Sequence, residues 1–317
     1  MRKKVYVIYT GGTLGMQKNE RGYRPVAHFF EQQLRAQAEL NSADMPEFDV
    51  HEYSPLLDSS DIRPEHWQKI AQDITSNYAD YDGFVVLHGT DTMAYTAAAL
   101  HYLFPNLTKP VILTGAQIPL VEPHSDTLNN VRNALFMAAF APFAQVAVLF
   151  QRKLLAAPYV TKFDAQSLDG FASPRRAPLL QWKNDFCSAQ DLTAITKIFH
   201  EKAKKSIEIK AFKPKKISVL HFFPGMDFEL LAAYFQQPWD AVILLSFGSG
   251  NIPQHPVLQQ QLRGLSERGV KLINCSQCPR GEVEQKYASG YFMADIGVVF
   301  AGDKTLEAAL AWAHIEL

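Results

Sequence analysis

The chain has 317 residues, 47% of them hydrophobic, which is enough apolar material for a large core and a length typical of two domains. Its net charge of -1 supplies no global field to draw in nucleic acid or an anionic membrane, and small neutral or zwitterionic ligands suit it better. Three cysteines, an odd number in a chain of this length, argue against a disulfide framework.

Arg2-Lys3-Lys4 precedes an apolar run, Val5 to Tyr9, that stops at Thr10-Gly11-Gly12. The run lacks the apolar length and small-residue cleavage site of a secretion signal, so the expectation is a cytoplasmic protein. No segment reaches the roughly 20 apolar residues that span a bilayer. Val5 to Tyr9, Phe84 to Leu87, Val111 to Leu113 and Val146 to Phe150 are short and continuously apolar, the pattern of parallel strands covered on both faces. Helical spacing lies between them: Trp67, Ile70, Ala71, Ile74 and Tyr78 after Pro64, then Met93 to Phe104, then Leu128, Val131, Leu135 and Ala138 after Asp126. This alternation predicts a doubly wound, mainly parallel α/β domain over residues 1–183.

Over residues 184–216 the pattern weakens, and lysines gather at 202, 204, 205, 210, 213, 215 and 216 around Ile207 to Phe212. A solvated interdomain linker with one edge strand accounts for this, with a basic patch for a polyanion as the alternative. Strand candidates resume at Ile217 to Phe222, Ala241 to Ser246 and Val270 to Asn274. Helical stretches near Phe228 to Phe235, Pro256 to Glu267 and Lys304 to His314 complete a smaller α/β domain over residues 217–317. The chain shows no internal repeat.

Two of the strands break at glycine and deliver hydroxyls. Thr10-Gly11-Gly12-Thr13-Leu14-Gly15-Met16 follows the first, and His88-Gly89-Thr90-Asp91-Thr92-Met93 the second. Both turns fall at C-terminal strand ends, where open parallel sheets bind ligands. Glycine beside a hydroxyl lets backbone N–H groups approach a developing oxyanion, and a following helix adds the positive end of its dipole. A threonine hydroxyl is a poor nucleophile until a neighbour takes its proton. Lys162 takes one only when neutral, because an ammonium has no lone pair.

Taken singly, each group has a plainer reading. Thr13 and Thr90-Asp91 suit turns or helix caps, Lys162 an exposed lysine, and Tyr23 a surface aromatic. Ser59 and Ser60 suit the start of the helix near Pro64. Cys275-Ser276-Gln277-Cys278 has redox or metal spacing, but no second cysteine pair or histidine cluster completes a zinc site, so a packing role is expected. Gly11-Gly12-Thr13-Leu14-Gly15 misses the three-glycine dinucleotide fingerprint.

The motifs Tyr9-Thr10-Gly11-Gly12-Thr13, Leu87-His88-Gly89-Thr90-Asp91-Thr92-Met93, Thr114-Gly115-Ala116-Gln117-Ile118-Pro119, Thr161-Lys162 and Gly248-Ser249-Gly250-Asn251 occur in that order. Together they resemble the type I, cytoplasmic bacterial L-asparaginases, through nearly the whole chain. The resemblance implies hydrolysis of L-asparagine to L-aspartate and ammonia through a covalent acyl-enzyme. It makes Thr13 the first nucleophile and Thr90, Asp91 and Lys162 a second hydroxyl with its carboxylate and lysine partners. Tyr23, in Arg21-Gly22-Tyr23, matches the mobile-loop tyrosine beside the nucleophile. Ser59 and Ser60, next to Asp58, match the grip on the substrate's α-carboxylate, and Asp91 faces its α-ammonium. Gly12, Gly89 and Ala116 complete the expected substrate-binding set.

The same resemblance implies a homodimer or homotetramer, with Asn251 a candidate to approach a neighbouring subunit's site. No metal or organic cofactor is called for, since the named groups already supply nucleophile, proton acceptor and oxyanion donors. Some relatives carry a second asparagine site near Ser276 to Cys278. Here the position often taken by arginine is Leu245, which lacks the guanidinium fork, so weak or absent allostery is expected. Ser125-Asp126-Thr127 departs from the family by lacking a glycine, and the chain stops soon after its last helix. Asparagine and glutamine differ by one methylene, worth about 1 to 3 kcal/mol of discrimination, and no motif fixes the choice. A broader glutaminase-asparaginase, an amidase subunit of a transamidating complex and a noncatalytic amino-acid sensor stand as the alternatives.

Overall fold

The computed structural model describes residues 2–20, 22–26, 28–195, 207–284 and 288–317. Arg21, the lysines at 202, 204 and 205, and the middle of the expected linker lie outside the described residues. The chain divides into two compact units, Met1–Lys210 and Ala211–Leu317.

The first unit opens with β1 (Lys4–Gly11), a hairpin of β2 (Met16–Asn19) and β3 (Gly22–Pro25), α1 (Phe29–Arg35) and β4 (Glu47–Leu57). Helix and strand then alternate through α2 (Pro64–Ser76), β5 (Gly83–Leu87), α3 (Met93–Leu103), β6 (Val111–Thr114), α4 (Thr127–Phe140) and β7 (Val146–Phe150). The unit closes with β8 (Lys153–Ala156), β9 (Thr161–Lys162), β10 (Phe171–Ala172), β11 (Leu180–Gln181) and α5 (Ala189–Leu192). A 7-stranded sheet runs in the order β11-β8-β7-β6-β5-β1-β4. Strands β4, β1, β5, β6 and β7 are parallel, and β8 and β11 join antiparallel, so the mainly parallel expectation holds. Every residue of β5, β6 and β7 is buried, as continuous apolar runs between two helical layers require.

The edge strand β4 has no counterpart in the sequence reading. It spans 11 residues, but charged and apolar positions mix along it, and among the described residues only β1 flanks it. Its position decides the topology. From β1 the chain goes to β4 on one side and then to β5 on the other, so the connections reverse direction around β1. The crevice at the C-terminal ends of β1 and β5 is therefore a topological switch point, where open α/β sheets take their ligands.

Two sequence readings in this unit are corrected. Residues 184–195, expected to open a solvated linker, pack on the core: Cys187, Leu192 and Ile195 are buried alongside Trp182. Ser188 and Asp191 form a capping box that starts α5. Burial pushes the Cys187 thiol up to about 12, so this cysteine is a packing group. No strand forms at Ile207 to Phe212; the Lys210 N–H instead bonds the Leu103 carbonyl at 3.0 Å, at the end of α3.

The second unit contains β12 (Ile217–His221), α6 (Ala232–Phe235), β13 (Ala241–Ser246), α7 (Pro256–Glu267), β14 (Lys271–Ser276), α8 (Ala288–Asp295), β15 (Val299–Phe300) and α9 (Leu306–Ile315). Its strands form a parallel sheet in the order β12-β13-β14-β15. Leu258, Leu262 and Leu265 of α7 pack with Val242 and Leu244 in one cluster. Ala309 and Ala313 of α9 pack with Ile243, Ile273 and Cys275 in the other. The helix expected from Phe228 shortens to Ala232–Phe235. Among the described residues, no helix is long and apolar enough to cross a membrane, and no cluster of three His, Cys, Asp or Glu groups could hold a metal ion.

Candidate active site

The glycine turns are brought together by backbone contact. A Cβ on Gly12 would lie 2.5 Å from both Cα and N of Gly89, and one on Gly89 would lie 2.5 Å from Oγ of Ser59. Only glycine allows this approach. Behind them, a Cβ on Gly115 would lie 2.4 Å from the His88 carbonyl and 3.4 Å from Cγ2 of Thr90. Residues 12–13, 58–60, 88–92 and 115–117 thus converge at the strand ends, with Ala116 buried among them.

Thr13 opens a single 3-10 turn, Thr13–Gly15, rather than an α-helix. Thr92, not Thr90 or Asp91, occupies the cap position of α3, and its hydroxyl donates to the Ser59 carbonyl at 2.6 Å. The helix-cap half of the plain reading therefore does not hold for Thr13, Thr90 or Asp91, although all three lie in turns. Neither serine starts α2, whose cap residue is Arg63, with its N–H bonded to the His66 ring at 3.0 Å. Ser59 is buried against Gly89. Ser60 is turned to Asp58, whose carboxylate accepts from the Ser60 N–H and hydroxyl, both at 2.9 Å.

Lys162 reaches the site from a two-residue ladder, β9 against β10, anchored where Phe171 packs on Phe150 with ring centroids 4.7 Å apart. Its Nζ donates to Oγ1 of Thr90 at 2.9 Å and to Oδ1 of Asp91 at 2.7 Å. The lysine side chain is 22% exposed and the aspartate 62%, so the carboxylate is free to face an incoming ligand at the rim of the crevice. The hydroxyl of Thr90 also points to Oε1 of Gln117, at a long 3.5 Å. Tyr23, on β3 beside the Thr13 turn, is 43% exposed and donates to Oε1 of Glu122 at 2.7 Å. That hydrogen bond raises the phenol's pKa.

Gln117, Glu122, Thr92 and Asp126 received no site role from the sequence. Gln117 had a legible signal, since Thr114-Gly115-Ala116-Gln117 is a third strand that breaks at glycine. Asp126 precedes α4 and accepts the N–H groups of Gln117 and Ile118. Glu122, between Val121 and Pro123, carries no periodic or motif signal at all. Asn251 and Leu245 belong to the second unit, where Asn251 bridges Phe247 and Leu245 pairs with Cys275.

The Thr13 turn abuts the Thr90 turn, and with the Asp91 carboxylate and the Lys162 amine they form a constellation suited to acyl transfer. Residues 4–192 match the family description "Asparaginase, N-terminal", and residues 216–315 match "Glutaminase/Asparaginase C-terminal domain". The chain belongs to the asparaginase family. L-asparaginase 1 of Escherichia coli strain K12 is 42% identical over 314 residues, covering 99% of this chain and 91% of that protein. L-asparaginase I from Vibrio cholerae has a crystal structure with a TM-score of 0.88 at 44% identity, covering 100% of this chain and 93% of that one. The thermostable L-asparaginase from Thermococcus kodakarensis aligns with a TM-score of 0.80 at 28% identity, over 97% and 90% of the two chains.

In this asparaginase-family chain, His88 is wholly buried directly before the Gly89 turn. Its Nδ1 lies 2.7 Å from the Gly89 carbonyl, which can only accept, so Nδ1 carries the proton and Nε2 accepts from the Thr96 hydroxyl at 2.9 Å. Burial holds the ring neutral, its pKa pushed down from 6.5 to about 4. A depressed folded-state value means that stability is complete above pH 6.5 and is lost as pH falls toward 4. The expected loss over that window is about 3 kcal/mol. His88→Gln should flatten this slope, whatever its stability at neutral pH. Urea midpoints against pH for the two proteins check it, and parallel slopes would refute it.

Proposed function

We propose that this asparaginase-family enzyme hydrolyses L-asparagine to L-aspartate and ammonia, with Thr13 as the nucleophile. The Thr13 oxygen attacks the carboxamide carbon as it gives up its proton, the C–N bond breaks as the nitrogen takes a proton and leaves as ammonia, and water then hydrolyses the ester, releasing L-aspartate and returning a proton to the Thr13 oxygen. Thr90, Asp91 and Lys162 serve as one hydrogen-bonded unit that handles protons at the reacting centre, and Tyr23 acts beside Thr13. Ser59 and Ser60 receive the substrate's α-carboxylate, the Ser60 hydroxyl turning from Asp58 to do so, and Asp91 receives its α-ammonium. Glycine-turn N–H groups at Gly12, Gly89 and Ala116 face the developing oxyanion.

The observation that carries this reading is the Lys162 amine, 2.9 Å from the Thr90 hydroxyl and 2.7 Å from Asp91. It stands within a crevice where the Thr13 turn abuts the Thr90 turn. Positioned proton transfer of this kind is worth about 10² to 10⁴ in rate. The enzyme works in the cytoplasm as a homodimer or homotetramer, and Leu245 leaves it with little response to a second asparagine. A slowly deacylating substrate followed by mass spectrometry should place a single acyl adduct on Thr13, and an adduct elsewhere would demand a different nucleophile. Steady-state rates on asparagine and glutamine in the same preparation separate a dedicated asparaginase from a broader amidase.

A further inference from the structure

Tyr23 sits on the β2–β3 hairpin, which forms a 2-stranded sheet of its own. Such a hairpin is marginal in water, so its ladder cannot fix where the phenol lies. The Glu122 carboxylate accepts the phenol's hydrogen bond at 2.7 Å, a short, charge-assisted contact at the surface.

Glu122 itself rides on a firmly held loop. Buried Asp126 accepts the Gln117 and Ile118 N–H groups at 3.1 and 3.0 Å. The Ser125 and Thr127 hydroxyls both donate to the Ile118 carbonyl, at 2.9 and 3.0 Å. Thr127 stands at the position where the family resemblance leads one to expect glycine, and its hydroxyl adds one of these bonds. The Glu122 N–H closes a turn onto the Pro119 carbonyl at 3.0 Å. The Leu120 N–H donates to the Leu14 carbonyl at 3.1 Å, which ties the loop to the residue after Thr13. At its other end, the Gln117 amide donates to Ser167 at 3.0 Å, on the hairpin that presents Lys162.

We propose that Glu122 is a positioning residue for turnover: it references the Tyr23 phenol to the Thr13 turn through the loop of residues 117–126. With its proton donated to Glu122, the phenol turns an oxygen lone pair, not a hydrogen, toward its other neighbours. The raised pKa of Tyr23 agrees with that direction. The inference rests on the reading that Tyr23 acts beside Thr13, and it adds what holds Tyr23 there.

The test is a double-mutant cycle on asparagine hydrolysis with Glu122→Ala, Tyr23→Phe and their combination, plus Glu122→Gln. Glu122→Ala should lower kcat/KM about tenfold, mainly through kcat, with an unchanged thermal midpoint. Glu122→Gln, whose amide oxygen still accepts from the phenol, should recover most of that loss. In the Tyr23→Phe background, Glu122→Ala should change kcat/KM less than about twofold. Full activity in Glu122→Ala, equal losses in both backgrounds, or no recovery with Gln would overturn the proposal while leaving Tyr23 in place. Parent-like turnover in Tyr23→Phe would instead remove Tyr23 from the mechanism and the proposal with it.

Discussion

Thr13→Ala should fold normally and release ammonia from L-asparagine at least about 10⁴ times more slowly than the parent, and Thr90→Val should lose about 10³-fold or more. Thr13 opens a short turn whose backbone is set by Gly12, so removing its hydroxyl leaves the Gly12 contact with Gly89 intact. Valine at position 90 keeps the branch that lies near Gly115 and puts a methyl in place of the oxygen that faces Lys162 and Gln117. One such hydrogen bond contributes about 0.5 to 1.5 kcal/mol to folding, so urea midpoints should move little while turnover collapses. The double variant should be no slower than Thr13→Ala alone, because groups that act as a unit do not add. A coupled ammonia assay beside urea unfolding reads both quantities. Near-parent turnover in either single variant would strike that residue from the chemistry.

What the sequence disclosed follows from how each feature is stabilised. β5, β6 and β7 are buried on both faces, so their apolar runs stand out unaided. The edge strand β4 mixes charged with apolar residues, because one side of it meets solvent, and a period of two is lost along it. The topological switch point is therefore not legible in the sequence, although the two turns beside it show as strands that break at glycine. Lys162 lies on a ladder of two residues per strand, too short for any pattern, and family resemblance alone drew attention to it. Residues 184–195 read as linker because Lys183, Asp185 and Asp191 mask the spacing of Cys187, Leu192 and Ile195, which the capping box at Ser188 brings onto the core. Glu122 is functional only through a tyrosine 99 positions away, a relation that spacing cannot express.

Gly12→Ala should damage stability and turnover together, which separates it from the threonine variants. Gly12 has φ 98° and ψ -179°, a region populated almost solely by glycine, and an L residue held there costs about 1 to 3 kcal/mol. The new methyl would also lie 2.5 Å from Cα and N of Gly89, and backbone cannot swing aside as a side-chain tip can. Relief requires the first turn to move away from the second. The expected loss is therefore about 3 kcal/mol or more of unfolding free energy. Separation of the Thr13 and Thr90 turns by even about 1 Å should lower kcat/KM about 10²-fold in what remains folded. Gly264→Ala supplies the contrast: it lies within α7 with open space around it, and alanine there should raise stability by about 0.5 to 1 kcal/mol with turnover unchanged. Urea unfolding and steady-state rates on the two variants check the pair. A Gly12→Ala protein equal to the parent in both would mean that the two turns do not touch, and the shared crevice would lose its physical basis.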